Sequence, residues 1–400
     1  MSDPGTDSVD ITRLPSSAGG AADAPIALSS INQSIPILRR TLSNGELSRI
    51  EESAYLFGNA PESYDVVSSS GSLLRTPCGE GFLNIYPDRS CWHIPGGIIA
   101  EQTKKPSTVL WLKQLAEQQR RTIAVYSVNS EELPLFQEAG YAINKFGEEP
   151  VIDLGNLDWQ GKPFEWVRRQ TSHCRRQGLN VVEITSRDEQ RASAGELTEV
   201  FFDDLRHRVY SKPLQLLEGE FDPHALGRRR LFVARHNSNQ RTEGFLVTSP
   251  MENGTSWAFE TYRKRSDAIR GTIPYLFREV TDRLQAEGVR QVSLCLVPGK
   301  GVQGDKSETA DARVRWLLGL WYGRLSFVFN ASGQDYFKSR FRPRYVDRYI
   351  CVYPRNSWGS IFSFLKTSGA LRINAKNLAR ELVGTLRIRS NGNGSVHVHR

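Results

Sequence analysis

The chain has 400 residues, of which 39% are hydrophobic and 24% charged, and its formal net charge is +8. This length favours two domains over a single compact core, and no window approaches the roughly 20 apolar residues that a membrane-spanning helix needs. The five cysteines are scattered without a CxxC pair, which argues against a zinc site and a disulfide framework and indicates a reducing compartment. The basic charge balance favours nucleic acid or an anionic membrane surface as a partner.

The first half of the chain predicts a disordered tail followed by one α/β module. Residues 1–35 are rich in Ser, Ala, Gly, Asp and Pro without periodicity, which is typical of disorder. The module is assigned to residues 36–160, and Ser107 is expected to be the N-cap of its central helix. Its predicted elements are a helix at 43–56, short strands between 66 and 99, a helix at 107–121, a strand at 122–128, a short helix ending at Gly140 and a further strand.

The second half of the chain predicts a related module at residues 186–355. A basic helix and strand at 161–185 link it to the first module, and a basic amphipathic segment and tail follow at 356–400. Because the order of predicted elements repeats loosely, we interpret the chain as a duplication of one α/β unit. The predicted elements before the centre of this module are helices at 163–178 and 194–210 and strands at 231–234 and 244–247.

The centre of the second module is the stretch 256–299. A strand rich in aromatic residues and a later apolar strand enclose a helix with regular apolar spacing, which predicts a β–α–β unit. The turn before this helix carries Arg263, Lys264, Arg265 and Arg270. Because the first N–H groups of a helix are unpaired, we expect this turn to bind an anion. The polar loop that follows at 300–306 is expected to be able to cover a site.

Five separate stretches of the chain are informative when taken together. They are KFGEEPVIDL, WVRRQTSHCRRQGLNVVEI, ETYRKRSDAIRGTIPYLF, VSLCLVPG and YFKSRFRPRYVDRYICVYP. In this order they resemble the motifs of the C-terminal catalytic region of the phosphatidylglycerol lysyltransferase family, and the resemblance extends over about residues 82–354. The resemblance implies a mixed α/β fold of two tandem GNAT-like acyltransferase modules, each a central sheet flanked by helices. It also implies an aminoacyltransferase that moves an amino acid from aminoacyl-tRNA to a hydroxyl of a phospholipid such as phosphatidylglycerol.

The chain departs from the family's motifs at three places. Glu260 stands where the motif has Asp, Tyr345 stands where the signature has Trp, and the loop at 300–306 differs from the usual continuation. Acyl transfer is therefore the implied reaction, while the amino acid and the acceptor stay open.

The resemblance points to Glu260, Arg263 and Lys338 as catalytic residues. A buried carboxylate between Phe259 and Tyr262 would have a raised pKa, which suits a base. Arg263 could grip a phosphate bidentately; the alternative is a structural ion pair between Arg263 and Glu260. A spacing of three directs the two side chains to opposite faces of a regular strand, so both serve one site only if the strand ends or bulges near Tyr262.

Basic side chains provide the candidate contacts to phosphates, tRNA or lipid. Lys338 and the arginines after it alternate along a run that, if extended, projects them to one side; a solvated basic edge or helix face is the alternative for these and the helix arginines. The candidate residues are Arg168, Arg169, Arg175, Arg265, Arg270, Arg340, Arg342, Arg344 and Arg348.

Transfer from an aminoacyl ester requires no cofactor and no metal, because the ester is already activated. The expected partners are aminoacyl-tRNA and an anionic phospholipid or membrane surface, and the expected location is the cytoplasm or the inner face of the cell membrane. Two alternatives stay open: a catalytically silent GNAT-like protein that binds tRNA, lipid or protein, and a CoA-dependent N-acyltransferase. The second is disfavoured because the turn RSDAIRGT offers a pyrophosphate only one glycine, Gly271.

Overall fold

The computed structural model describes most of the chain from residue 37 to residue 379. The described residues are 37–38, 42–68, 71–77, 82–88, 90–210, 212–218, 221–224, 226–305, 307–323, 325 and 330–379. The tail predicted at 1–35, the last part of the C-terminal tail and Lys306 of the predicted covering loop lie outside them.

The described strands form one mixed sheet flanked by helices, which confirms the predicted mixed α/β class. Strand order is β1–β2–β3–β4–β5–β13–β6–β11–β10–β9–β8–β7, with β12 also paired to β6. The strands are β1 Ile37–Leu38, β2 Ser72–Arg75, β3 Phe82–Pro87, β4 Cys91–Ile94, β5 Thr122–Asn129, β6 Ala142–Asp153, β7 Leu179–Ile184, β8 Arg230–His236, β9 Thr242–Met251, β10 Ser256–Lys264, β11 Gln291–Ser293, β12 Val297–Pro298 and β13 Arg344–Tyr353. The helices are α1 Asn44–Phe57, α2 Lys105–Gln118, α3 Leu133–Glu138, α4 Glu165–Arg176, α5 Arg187–Arg206, α6 Thr272–Ala286, α7 Ala312–Gly323, α8 Ala331–Ser339 and α9 Trp358–Thr367, and a 3-10 helix spans Pro61–Val67.

Each half of the sheet contains one parallel β–α–β unit. Strands β4 and β5 are parallel and joined through α2, and strands β10 and β11 are parallel and joined through α6. The second unit confirms the β–α–β prediction for 256–299, and the pair agrees with the inferred duplication. Strand β13 from the end of the chain lies between β5 and β6. This insertion ties the halves into one sheet, and the module boundaries drawn from the sequence stay a prediction.

Several predicted helix starts shift for identifiable reasons. Ser43 caps α1 through a capping box with Glu46. Ser107 is not an N-cap, because α2 already begins at Lys105 with a proline in its first turn; the Ser107 hydroxyl instead donates to the carbonyl of Lys104 at 3.0 Å. Helix α5 begins earlier than predicted, since Ser186 accepts a hydrogen bond from the N–H of Glu189.

The prediction of an extended run from Lys338 to Arg344 is wrong. Lys338 belongs to α8, which ends at Ser339, and Arg344 begins β13. Between them Arg342 has φ of +55°, so the chain makes a tight turn before the strand. The four basic side chains of this run therefore do not project to one side: Lys338, Arg340, Arg342 and Arg344.

The buried core separates into clusters on the two halves and a smaller one between them. Trp111 and Phe136 lie in the cluster of the N-terminal half, while Phe259 and Phe277 lie in that of the C-terminal half. Phe146 and Leu296 belong to the cluster beneath α7 and α9. Within the described part of the chain, no helix combines the length and the apolar character needed to cross a membrane.

A buried histidine joins α9 to the N-terminal half of the sheet. His93 in β4 lies 2.7 Å from the hydroxyl of Tyr126 and 2.9 Å from that of Ser363, which also donates to Asp88 at 3.0 Å. Burial lowers the pKa of His93 to about 4, against an opposing effect of Asp88. The folded protein thus favours the neutral imidazole.

Acid is expected to weaken this junction. Because the folded pKa lies below the unfolded value of about 6.5, the stabilisation from the neutral ring is fully present above that pH and is lost as the pH falls towards 4. The loss amounts to at most about 3 kcal/mol in the free energy of unfolding. Urea unfolding on either side of this window measures it. His93→Gln should flatten the profile and the exposed His207→Gln should not; an unchanged profile for His93→Gln would contradict the assignment.

Candidate active site

A β-bulge in β10 determines where Glu260 lies. The register of β10 against β9 shifts between Phe259 and Thr261, so Glu260 is the extra residue. Its side chain is only 4% exposed, and its two oxygens accept from Arg229 Nε at 2.6 Å and Nη2 at 3.0 Å. The partner of Glu260 is therefore Arg229, which is distant from Glu260 in sequence and belongs to none of the five quoted stretches. Arg229 also donates to the hydroxyl of Ser68 at 3.0 Å.

The bulge does not bring Arg263 to the same place. The Arg263 guanidinium donates to Glu218 at 3.0 Å and lies 3.4 Å from Asp204. Arg208 pairs with the same two carboxylates. Arg263 is thus part of a separate buried ion network that fixes α5 against β10, and the alternative of an Arg263–Glu260 pair is wrong. We no longer propose Arg263 as a phosphate ligand.

Lys338 lies at an interruption of the sheet. Strand β11 ends at Ser293 and β12 begins at Val297, and between them Cys295 has φ of +63°. The carbonyls of Cys295 and Leu296 accept from Lys338 Nζ at 3.0 and 3.3 Å. The Lys338 side chain comes from α8 and the whole residue is only 2% exposed. Burial lowers the pKa of Lys338, and nearby acids oppose that shift.

Two further carboxylates surround this amine. Glu149 in β6 accepts from Arg348 Nε at 2.5 Å, and Arg348 also donates to the carbonyls of Asn59 at 3.0 Å and Ser127 at 3.3 Å. Glu62 in the 3-10 helix is buried, and its Oε2 has no hydrogen-bond partner among the described residues. Burial raises the pKa of Glu62, a side-chain hydrogen bond with Ser127 opposes this shift, and the charge of Glu149 adds to it.

These groups form one assembly, which we call the buried charge cluster. Glu62 and Glu149 interact electrostatically with Lys338, and both of them, together with Glu260, interact with Cys295. The buried charge cluster is defined as Glu62, Glu149, Arg229, Glu260, Lys338 and Arg348. It lies where β6 of the first half meets β10–β12 of the second. Burial shifts the pKa values of Lys338 and Glu62 within this cluster, and shifted ionisable groups gathered in one place are typical of an active site.

Comparison with known proteins shows which family the chain belongs to. A model of the C-terminal region of phosphatidylglycerol lysyltransferase matches residues 71–352. The chain belongs to this family. It resembles the phosphatidylglycerol lysyltransferase of Bacillus subtilis (strain 168), with 21% identity over 254 residues, and the lysylphosphatidylglycerol biosynthesis bifunctional protein LysX of Rhodococcus opacus (strain B4), with 21% identity over 329 residues. These matches cover 63% and 79% of this chain but only 28% and 29% of the relatives, so the chain spans less than a third of their length.

Solved structures agree with the fold. L-PGS from Bacillus licheniformis has a TM-score of 0.68 at 18% identity, with 84% of this chain and 98% of that chain covered. A C-terminal domain from Agrobacterium fabrum, described as belonging to a lysylphosphatidylglycerol synthetase, has a TM-score of 0.66 at 20% identity, with 83% and 98% covered. At these identities the structural similarity establishes the fold of this chain. Its chemistry has to be inferred from the residues of the site.

One departure from the family signature acquires a structural role. The hydroxyl of Tyr345 donates to Asp335 at 3.0 Å, and Lys300 Nζ lies 3.8 Å from the Tyr345 ring centroid. Lys300 also pairs with Asp335 at 2.7 Å, and Tyr322 donates to the same carboxylate. Tyrosine at this position therefore anchors the start of the loop at 300–306 to α8.

The protein itself supplies a carboxylate to the first part of the turn before α6. A carboxylate oxygen of Asp203 accepts from the N–H of Ser266 at 2.6 Å, and this hydrogen bond lowers the pKa of Asp203 to about 2. Arg265 donates to the carbonyl of Thr242 at 2.9 Å and faces Glu199 at 3.5 Å. The prediction that this turn receives a phosphate is thus not favoured; Arg270 is exposed beside it.

The other predicted basic residues divide between the interior and the surface. Arg348 belongs to the buried charge cluster, and Arg344 is held by Asp153 at 3.2 Å and Gln291 at 2.6 Å. Arg168 donates to the carbonyls of Trp159 and Gly161 at the start of α4. Five arginines lie on the surface around α4 and the end of α8. Two contacts join these regions: Arg340 stacks on Trp166 at 5.1 Å, and Arg342 faces the carbonyl of Pro163 at 3.5 Å. We call this the basic surface: Arg169, Arg175, Arg176, Arg340 and Arg342.

Sequence reasoning missed Glu62, Glu149 and Arg229 as site residues. Glu149 lay within the quoted motif KFGEEPVIDL and could have been found there. Glu62 is in a short 3-10 helix that is distant in sequence from the five quoted stretches, and Arg229 is one of three consecutive arginines. Nothing in their local pattern distinguishes either residue.

Proposed function

We propose that this chain is an aminoacyltransferase that moves an amino acid from aminoacyl-tRNA to a hydroxyl of a phospholipid such as phosphatidylglycerol. The observation that supports this most is a buried amine, Lys338, set among carboxylates in a member of the lysyltransferase family. The proposed place of action is the cytoplasm, at the inner face of the cell membrane.

The reaction balances without a cofactor. The lipid hydroxyl oxygen attacks the ester carbon of the aminoacyl group, a new ester C–O bond forms, and the C–O bond to the tRNA ribose breaks. The proton leaves the lipid hydroxyl and is finally given to the ribose oxygen. The protein has only to position both substrates and hold this proton in between.

Lys338 is our candidate for the residue that holds the proton. A neutral amine has two N–H groups and one lone pair, and the carbonyls of Cys295 and Leu296 match those two donors. Burial favours the neutral form by lowering the pKa of Lys338. The lone pair is then left to accept the proton of the lipid hydroxyl.

The carboxylates have different parts in this proposal. Both oxygens of Glu260 are held by Arg229, which makes Glu260 a positioning residue, and Glu149 is held by Arg348. Glu62 keeps Oε2 unbonded, and this oxygen is suited to accept from the amino group of the aminoacyl substrate. In this proposal Lys338 accepts the proton and Glu62, which interacts electrostatically with Lys338, binds the amino group of the substrate.

The basic surface is the proposed contact for the tRNA backbone. Replacing exposed Arg169 and Arg176 together by Glu should lower tRNA affinity at least about tenfold at low salt and reduce the slope of log affinity against log salt by about 2. Filter binding over a salt series measures both quantities. The matched control is Arg187→Glu with Arg191→Glu on the exposed side of α5; equal losses in the two double variants would refute a specific contact.

The direct test incubates the full chain with a mixture of charged tRNAs and bacterial total lipid, followed by mass spectrometry of the lipids. An aminoacylated lipid is the expected product. Absence of any such product, with tRNA and lipid binding intact, would leave a binding protein instead. That alternative has some support, because two of the cluster's acids are already paired with arginines. CoA-dependent transfer stays disfavoured, because the turn before α6 offers a pyrophosphate only one glycine, Gly271.

A further inference from the structure

An apolar cavity of about 330 Å³ lies between the sheet and helices α7 and α9. Phe146 and Ile350 contribute to its wall from the sheet, Leu318 from α7 and Phe364 from α9. This volume is about twice that of an engineered cavity of roughly 150 Å³ that binds benzene and stays dry. It also falls within the range of roughly 300–1,000 Å³ typical of ligand sites. The cavity is therefore large enough for an apolar chain and unsuited to water.

One buried polar group points to a ligand. Asn356 lines the cavity and is buried, and its amide Nδ2 has no hydrogen-bond partner among the described residues. A buried N–H without an acceptor is costly, so it is a place where a ligand oxygen is favoured. An ester carbonyl supplies such an oxygen next to an apolar chain.

The opening of the cavity has the character of a membrane-facing surface. Leu371 and Ile373 line the cavity and are 50% and 42% exposed. On the outer faces of α7 and α9, Trp316, Trp358 and Phe362 are more than half exposed. Arg313 lies 5.7 Å from the ring of Trp358. Exposed tryptophans beside basic side chains are typical of contact with an anionic lipid surface.

The inner wall of the cavity adjoins the proposed base. Leu296 packs in the same apolar cluster as Phe146 and Phe364, while its carbonyl accepts from Lys338 Nζ. Phe146 in the cavity wall and Leu296 therefore connect the cavity to the residue whose carbonyl binds the amine. This continuity connects a lipid-like space with the buried charge cluster.

We propose that the cavity takes one acyl chain of the phospholipid acceptor, with Asn356 donating to a lipid oxygen. The proposal rests on the proposed function for the identity of the acceptor. The occupant is an acyl chain because the wall is apolar, and its source is an anionic lipid because the exposed Arg372 stands between Leu371 and Ile373, which line the cavity.

The test uses the full chain and lysophosphatidylglycerol, a single-chain lipid, below its micelle concentration. Displacement of a fluorescent fatty acid reports the affinity. Ala370→Trp, which fills part of the cavity, and Leu371→Ser, at its opening, should each weaken binding about tenfold. Ala375→Trp is the matched control, since Ala375 is exposed and outside the lining, and should bind as the native chain does. Thermal unfolding verifies that each variant is folded.

The outcomes separate this proposal from the proposed function. Unchanged affinity in folded Ala370→Trp and Leu371→Ser would overturn the cavity assignment, whether or not transfer occurs. Cavity-dependent binding with no aminoacyl transfer would remove the transferase proposal and keep the cavity as a lipid site. A raised KM for lipid in Leu371→Ser, with kcat retained, is the result expected if both are right.

Discussion

Lys338→Met should lower the rate of aminoacyl transfer by about 10²- to 10⁴-fold, the usual contribution of a positioned acid or base. The methionine keeps the length and burial of the side chain but has no lone pair that accepts a proton at neutral pH. Lys338→Arg should be equally impaired, because a guanidinium does not deprotonate in proteins. In the native chain the rate should rise with pH as Lys338 loses its proton, and its lowered pKa brings this rise below the ordinary range of lysine.

Single-turnover transfer from radiolabelled aminoacyl-tRNA over a pH series measures the effect. Lys104→Met is the matched control, since Lys104 is exposed on the N-terminal half, and it should retain the native rate and pH profile. Because Lys338 also binds two carbonyls, tRNA and lipid affinities of the variant have to be shown unchanged. A folded Lys338→Met chain with native rate and pH dependence would remove Lys338 from the mechanism.

Glu260→Ala should destabilise the fold by about 3–5 kcal/mol, because it leaves the buried guanidinium of Arg229 without its bidentate partner. Removing both charges in Arg229→Met with Glu260→Met should recover only part of that loss, since the desolvation cost of the pair disappears but buried Asp65 loses its ion pair with Arg229. The free energy of unfolding in urea measures both variants.

An exposed pair of similar geometry provides the control. Asp267 accepts from Arg241 at 2.7 and 2.8 Å, but both side chains are accessible to solvent, so Asp267→Ala should cost far less stability than Glu260→Ala. Equal costs for Glu260→Ala and Asp267→Ala would show that burial does not matter here. Native transfer in a folded Glu260→Ala chain would instead remove Glu260 from the positioning role.

The local pattern of the sequence predicted the elements around the site well. Apolar spacing located α6 and the two parallel strands around it, and the motifs identified the family and directed attention to Glu260 and Lys338. These features depend on residues close together in the chain, where helical and strand periodicity are directly legible. The predicted side-chain directions assumed regular strands, and they were wrong where the backbone is irregular. The bulge at Glu260 and the turn at Arg342 both change the direction of side chains that a regular strand would have aligned.

The sequence by itself determined the fold class, the family and three members of the buried charge cluster, Glu260, Lys338 and Arg348. Only the tertiary structure decided how charges pair: Arg229 with Glu260, Arg348 with Glu149 and Arg263 with Glu218. It alone placed Glu62 near Lys338, opened the sheet between β11 and β12, and formed the apolar cavity under α7 and α9. The physical reason is that a buried ion pair or a cavity is a property of groups distant in sequence, and its energy depends on desolvation by the surrounding fold.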